Sequence, residues 1–219
     1  MTREDVCRRI EEVGIVAAIR VGSADDALFA TDTIVSGGIP IMEVTMTIPG
    51  ALEIVSAVRR RHPDVVVGAG TVLDAATARQ CLDAGAMFIT STGFDAGIVE
   101  TAKKEKVAAI PGALTPTEVM AALKSGADMI KIFPCSQVGG AAYIRALRSP
   151  FPRAPFIASG GVHQQTAVQF IEAGATALGI GEDLIPHEAI LSRRPDWIRE
   201  LAHRFLGMVQ RARSGKVLR

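Results

Sequence analysis

A closed α/β barrel of eight parallel strands, the (β/α)₈ or TIM type, is the fold this sequence predicts, and three observations carry the prediction. Eight short apolar runs recur along 219 residues, amphipathic stretches lie between them, and several of those stretches end in glycine just before the next run. Hydrophobic residues make up 48% of the chain and aromatics only 5%, a mix of Ala, Val and Ile that suits parallel strands covered by helices. The length fits one barrel domain over residues 1–219.

Taken in order, Ile15 to Ile19 is the first run, and Ser23 is placed to cap the helix behind it. Ile39 to Met46 comes next, directly after the helix-stop pair Gly37-Gly38. Val65 to Val67 is the third run; Asp74 then caps the amphipathic segment Ala75 to Asp83, which stops at Gly85. Met87 to Ile89 and Val107 to Ile110 are the fourth and fifth. Thr115-Pro116-Thr117-Glu118 then puts a hydroxyl at the N-cap, proline at the first helical position and a carboxylate three residues after the cap. Gly126 ends that helix. Met129 to Phe133, Phe156 to Ala158 and Ala177 to Ile180 complete the series, with Gly174 ahead of the last. From Asp196 to Arg213, Trp197, Leu201, Phe205 and Met208 are spaced for a final helix lying on the outside of the barrel. Eight alternations favour a barrel over a doubly wound sheet, and no G-x-G-x-x-G follows Ile15 to Arg20.

Composition also narrows the function. Lys+Arg 24 against Asp+Glu 23 leaves a formal charge of +1, without the basic footprint of a nucleic-acid binder, so a small-molecule substrate is expected. The start, Met1-Thr2-Arg3-Glu4-Asp5, is charged and lacks the apolar run of a signal peptide. With no segment of about 18 apolar residues, no membrane association is expected and the location predicted is cytoplasmic. Cys7, Cys81 and Cys135 are an odd number at wide spacing and read as reduced thiols. His62, His163, His187 and His203 are scattered, with no H-x-H or H-E-x-x-H, so no catalytic metal is expected.

In such barrels chemistry collects at the C-terminal ends of the strands, where this sequence places Arg20, Glu43, Thr45, Thr71, Ser91, Thr92, Lys131, Ser159 and Asp183. Two of these are costly to bury. Strand alternation puts Lys131 on one face with Met129 and Phe133, and Glu43 on one face with Ile41 and Thr45. Apolar surroundings disfavour an ammonium relative to the free amine, which is the nucleophile needed to attack a ketone. An inward Glu43 is either the ion-pair partner of Lys131 or a general base, and the two roles are compatible. A lysine held by a carboxylate with no turnover is the plainer alternative. Together the two support imine chemistry, since a protonated imine is an electron sink and the carboxylate moves protons.

At this point the sequence resembles the 2-keto-3-deoxy-6-phosphogluconate aldolase and 4-hydroxy-2-oxoglutarate aldolase family, from about Gly14 to about Pro186. The likeness lies in Glu43-Val44-Thr45, Gly68-Ala69-Gly70-Thr71-Val72-Leu73, Pro111-Gly112, Lys131-Ile132-Phe133-Pro134 and Ser159-Gly160-Gly161-Val162, in that order. The resemblance implies a class I aldolase without a cofactor, usually a homotrimer, cleaving a 2-keto acid to pyruvate and an aldehyde. It matches Lys131 with the Schiff-base lysine and Glu43 with the proton-shuttling glutamate. Thr71 matches a hydroxyl donor to the carboxylate of the keto acid, and Phe133 the aromatic beside the imine. Arg20 resembles a substrate-holding arginine of galactonate-type members. Gly160 and Gly161 after Ser159, and Gly181 after the last run, sit where barrels commonly bind phosphate through backbone N–H groups and a helix N-terminus.

Two positions depart from the family pattern. Gluconate-type members carry an arginine where this chain has Thr47. A serine that helps hold phosphate aligns with Glu182 or Asp183, and Glu182 is the unusual one of the two. Like charges about 4 Å apart cost roughly 1 to 4 kcal/mol at effective dielectrics of 80 to 20, so cleavage is read more firmly here than a phosphorylated substrate. A sugar-phosphate isomerase using Lys131 and Glu43 as acid and base, and a non-catalytic keto-acid binder, are the competing readings.

Overall fold

The computed structural model describes residues 1–215; the last four residues of the expected domain fall outside them. The chain opens with α1 (Arg3–Val13), in which Thr2 and Asp5 form a capping box. β1 (Ile15–Ile19), α2 (Ala24–Ser36), β2 (Ile41–Thr45), α3 (Ala51–Arg61), β3 (Val66–Val72), α4 (Ala75–Asp83), β4 (Phe88–Ser91) and α5 (Ala96–Lys104) then alternate. β5 (Ala108–Ile110) and β6 (Gly112–Ala113) follow one another across Pro111. α6 (Pro116–Ser125), β7 (Ile130–Ile132), a 3₁₀ turn (Cys135–Val138) and α7 (Ala141–Arg148) come next. β8 (Phe156–Ser159), α8 (Ala167–Glu172), β9 (Ala177–Ile180), α9 (His187–Leu191) and α10 (Pro195–Ser214) complete the fold.

All strand pairings are parallel, and the order β5-β4-β3-β2-β1-β9-β8-β7-β6 follows the sequence around the sheet. Its two ends, β5 and β6, adjoin in the chain at Pro111, whose missing N–H splits a single stave. The sheet therefore closes on itself as a (β/α)₈ barrel of eight staves, the predicted class. Ser23, Asp74 and Thr115 cap their helices as expected, each accepting from a backbone N–H three residues on. Observed strand ends differ from the apolar runs where polar residues continue the extended chain: β3 runs on through Gly68-Ala69-Gly70-Thr71 and β4 through Thr90 and Ser91.

Two apolar layers fix where the site lies. Outside, helices pack on the sheet; α10 lies against α8 and α2 and buries Ile198, Leu201, Ala202, Phe205 and Val209, with Trp197 and Met208 at the margin of that stripe. Inside, Val16, Ile41, Val66, Phe88, Ala108, Ile110, Met129, Ile157 and Ala177 fill the lower barrel, and Val6 and Ile10 of α1 plug its N-terminal end. Polar groups within the barrel can thus reach solvent only through the mouth formed by the C-terminal strand ends. Among the described residues no helix is long and apolar enough to cross a membrane.

Candidate active site

Glu43 and Lys131 stand one layer above the apolar floor. Glu43 follows Ile41 by two positions on β2 and Lys131 follows Met129 by two around β7, so alternation turns both inward. Lys131 Nζ lies 3.2 Å from Glu43 Oε1 and 3.3 Å from Oε2. Only 7% of Lys131 and 3% of Glu43 is exposed. Thr90 donates its hydroxyl proton to Glu43 Oε2 at 2.7 Å. Removing two charges from water costs several kcal/mol each, which their attraction and the added hydrogen bond must offset. Passing one proton from Nζ to the carboxylate leaves a neutral amine and a neutral acid, a nucleophile beside a proton carrier.

Glycines make the space for this pair. A Cβ on Gly70 would fall 2.0 Å from Glu43 Oε1, and one on Gly68 would fall 2.4 Å from the ring of Phe88. The Gly68-Ala69-Gly70 segment is thus dictated by an inward carboxylate and an inward aromatic that β2 and β4 aim at β3. The Phe133 ring centroid is 5.7 Å from Lys131 Nζ, within cation–π range.

Above the pair opens a cavity of about 420 Å³. Of the residues singled out from the sequence, Glu43, Lys131, Arg20, Phe133, Ser159, Gly160, Gly161 and Gly181 line it. Thr71 does not line it. Its backbone is left-handed at φ +58°, where a β-branched residue is strained, and the pairing of β3 with β4 is irregular between Ala69 and Val72. The Thr71 hydroxyl is buried and makes no hydrogen bond among the described residues. A left-handed β-branched residue carries strain of about 1–3 kcal/mol, and its unpartnered buried hydroxyl adds a further cost that the surrounding structure must offset.

Arg20 is exposed and forms no ion pair among the described residues. Glu182, Asp183, Thr92 and His187 also line the cavity. Burial pushes the Asp183 carboxyl above the usual range, with His163 opposing and Glu182 reinforcing the shift. Thr47 is exposed and its hydroxyl is spent on that of Thr45, 3.0 Å away. Sequence reasoning missed Thr90, because the apolar run ends at Ile89 while the strand continues; the signal was its two-residue spacing from Phe88 on the inward face. His187 was missed too, since it follows the last strand by seven residues and carries no motif.

A (β/α)₈ barrel with a buried lysine–glutamate pair under an open mouth defines the class of protein. A model of the KDPG and KHG aldolases, named for the two keto acids above, matches residues 6–201, and the chain belongs to that family. The 2-dehydro-3-deoxy-phosphogluconate aldolase of Treponema pallidum is 30% identical over 200 residues, covering 91% of this chain and 95% of that one. KDPG aldolase from Legionella pneumophila, with pyruvate captured as a covalent carbinolamine intermediate, superposes with a TM-score of 0.83 at 27% identity, covering 90% and 96% of the two chains. A native KDPGal structure gives a TM-score of 0.84 at 26% identity, covering 91% and 96%.

Proposed function

We propose that this protein is a class I aldolase that cleaves a 4-hydroxy-2-keto acid reversibly to pyruvate and an aldehyde, through an imine on Lys131. The single observation that carries the reading is the pairing of a buried lysine with a buried glutamate at 3.2 Å beneath the cavity. The carbinolamine captured with pyruvate in the Legionella relative supports it.

Proton transfer to Glu43 frees the Lys131 amine, which adds to the C2 carbonyl; the carbinolamine loses water and leaves a protonated imine. Glu43, again a carboxylate, takes the C4 hydroxyl proton. As C4=O forms, the C3–C4 bond breaks and its electron pair moves into C2=C3, neutralising the nitrogen as an enamine. The aldehyde departs, a proton returns to C3 from Glu43, and water releases pyruvate and the amine. Thr90 orients the carboxylate, and Phe133 packs beside the imine. The unpartnered Thr71 hydroxyl turns to donate to the carboxylate at C1, with Arg20, Ser159, Gly160, Gly161 and Gly181 holding the remainder of the substrate. No cofactor is needed for these steps.

An isomerase using the same pair without a covalent intermediate lacks this support, as does a binder without turnover. A homotrimer located in the cytoplasm remains part of the proposal. The test is exchange of the C3 protons of pyruvate with D₂O, followed by NMR, which reports enamine formation whatever the aldehyde. Exchange catalysed by the wild type and abolished by Lys131→Ala is expected; no exchange above background would remove the proposed function.

A further inference from the structure

Two-residue alternation along β4 puts Phe88 in the apolar floor, Thr90 beside Glu43 and Thr92 in the cavity wall. Thr90 itself does not line the cavity and is only 2% exposed, so its hydroxyl can act on a substrate only through another side chain. That side chain is Glu43, whose Oε2 accepts from Thr90 at 2.7 Å. The bond skips a strand, because β3 lies between β2 and β4. Glu43 pairs with Gly68 and Ile89 with Ala69, so the bond passes over the inward positions of β3 at this height, Gly68 and Gly70. Neither carries a side chain to block it.

Lys131 and Thr90 are the only hydrogen-bond partners of the Glu43 side chain among the described residues. The hold exerted by Lys131 is largely electrostatic and does not last through the reaction. Once Glu43 has taken the C4 hydroxyl proton and Lys131 has become the enamine nitrogen, acid and amine are both neutral and no attraction between charges remains. A hydroxyl, by contrast, donates to a carboxylate oxygen and to the carbonyl oxygen of a carboxylic acid alike. Threonine is β-branched and stiff at χ1, which makes its hydroxyl a fixed point. We infer that Thr90 is the positioning residue for the stages in which Glu43 carries the proton: it holds Oε2 through the enamine and leaves Oε1 as the oxygen that delivers the proton to C3. The inference rests on the aldolase reading and adds to it which oxygen moves the proton and what keeps the group in place when the ion pair is gone. Thr90 retains its own proton throughout, and the bonds made and broken are those given above.

The test compares the wild type, Thr90→Val and Thr90→Ser by the rate and KM of pyruvate C3 exchange with D₂O, and by trapping of the pyruvate imine with borohydride. Thr90→Val keeps the branched shape and loses the hydroxyl. Its maximal exchange rate should fall by roughly tenfold or more, while the imine is still trapped and KM moves by less than about threefold. Thr90→Ser, which restores the hydroxyl, should recover most of the loss. Should Thr90→Val misfold by circular dichroism, Thr90→Ala supplies the measurement without a hydroxyl. Wild-type exchange in the hydroxyl-free variant, loss of trapping together with exchange, or a serine variant no faster than the valine one overturns the inference while the aldolase reading stands. A wild type that neither exchanges nor is trapped overturns both.

Discussion

Gly70 and Glu43 occupy neighbouring strands so closely that one added methyl on Gly70 would stand 2.0 Å from the carboxylate. Gly70→Ala is therefore expected to push Glu43 away from Lys131 while removing no ionisable group from the protein. Overpacking of this kind costs about 1–3 kcal/mol of stability. Because a misplacement near 1 Å costs about 10²-fold, kcat should fall at least tenfold while the variant stays folded by circular dichroism. Wild-type kcat in Gly70→Ala would show that the position of Glu43 is not critical.

Glu43→Gln keeps the shape of the side chain and an oxygen to accept from Thr90 and Lys131, but its amide neither takes up nor releases a proton in the reaction. Imine formation with pyruvate should slow but still occur, because Glu43 no longer takes the proton that frees the amine, while cleavage should fall further, by about 10²–10⁴-fold, the usual worth of a general base. Single-turnover kinetics separate the two steps. Equal loss of both, or of neither, would contradict the proton-shuttling role.

Thr71→Val removes the unpartnered hydroxyl and keeps the β-branched shape. A hydrogen bond to a charged group is worth about 1.5–3 kcal/mol, so KM for the keto acid should rise roughly 10- to 100-fold with kcat changed far less. Thermal stability should hold or improve, since a buried hydroxyl without a partner is lost. An unchanged KM would detach Thr71 from the substrate.

Burial pushes the Cys81 thiol up to about 11 and the Cys7 and Cys135 thiols up to about 12. Raised values favour the protonated form, so at pH 8 the thiolate, which is the reactive species, is scarce at all three. Titration of the native protein with a disulfide reagent at pH 8 should proceed slowly, quicken as pH rises toward 11, and become rapid at pH 8 only after unfolding. Prompt reaction of Cys81 or Cys135 in the native protein at pH 8 would contradict their buried placement.

Much of the fold was legible because its signals are local. Ser23, Asp74 and Thr115 each announce a helix start within four residues, and the apolar runs mark the staves without reference to one another. Lys131 and Glu43 were legible for a related reason: a charge amid an apolar strand is conspicuous wherever its partner lies. The helix α1 was overlooked although Thr2 and Asp5 form a capping box, since the charged Met1-to-Asp5 start drew attention away from the Val6–Ile10 spacing that plugs the barrel. Thr90 depended on how far β4 continues past Ile89, and its bond to Glu43 spans 47 residues. The strained backbone of Thr71 comes from an irregularity between two strands, which no single segment encodes.

The central claim is that Lys131 becomes covalently joined to the substrate. Incubating the wild-type protein with pyruvate and sodium borohydride, then mapping proteolytic peptides by mass spectrometry, tests it most directly. The account predicts a reduced pyruvyl adduct on the peptide containing Lys131 and none in Lys131→Ala. An active protein that emerges unlabelled, or labelled on another lysine, would contradict it.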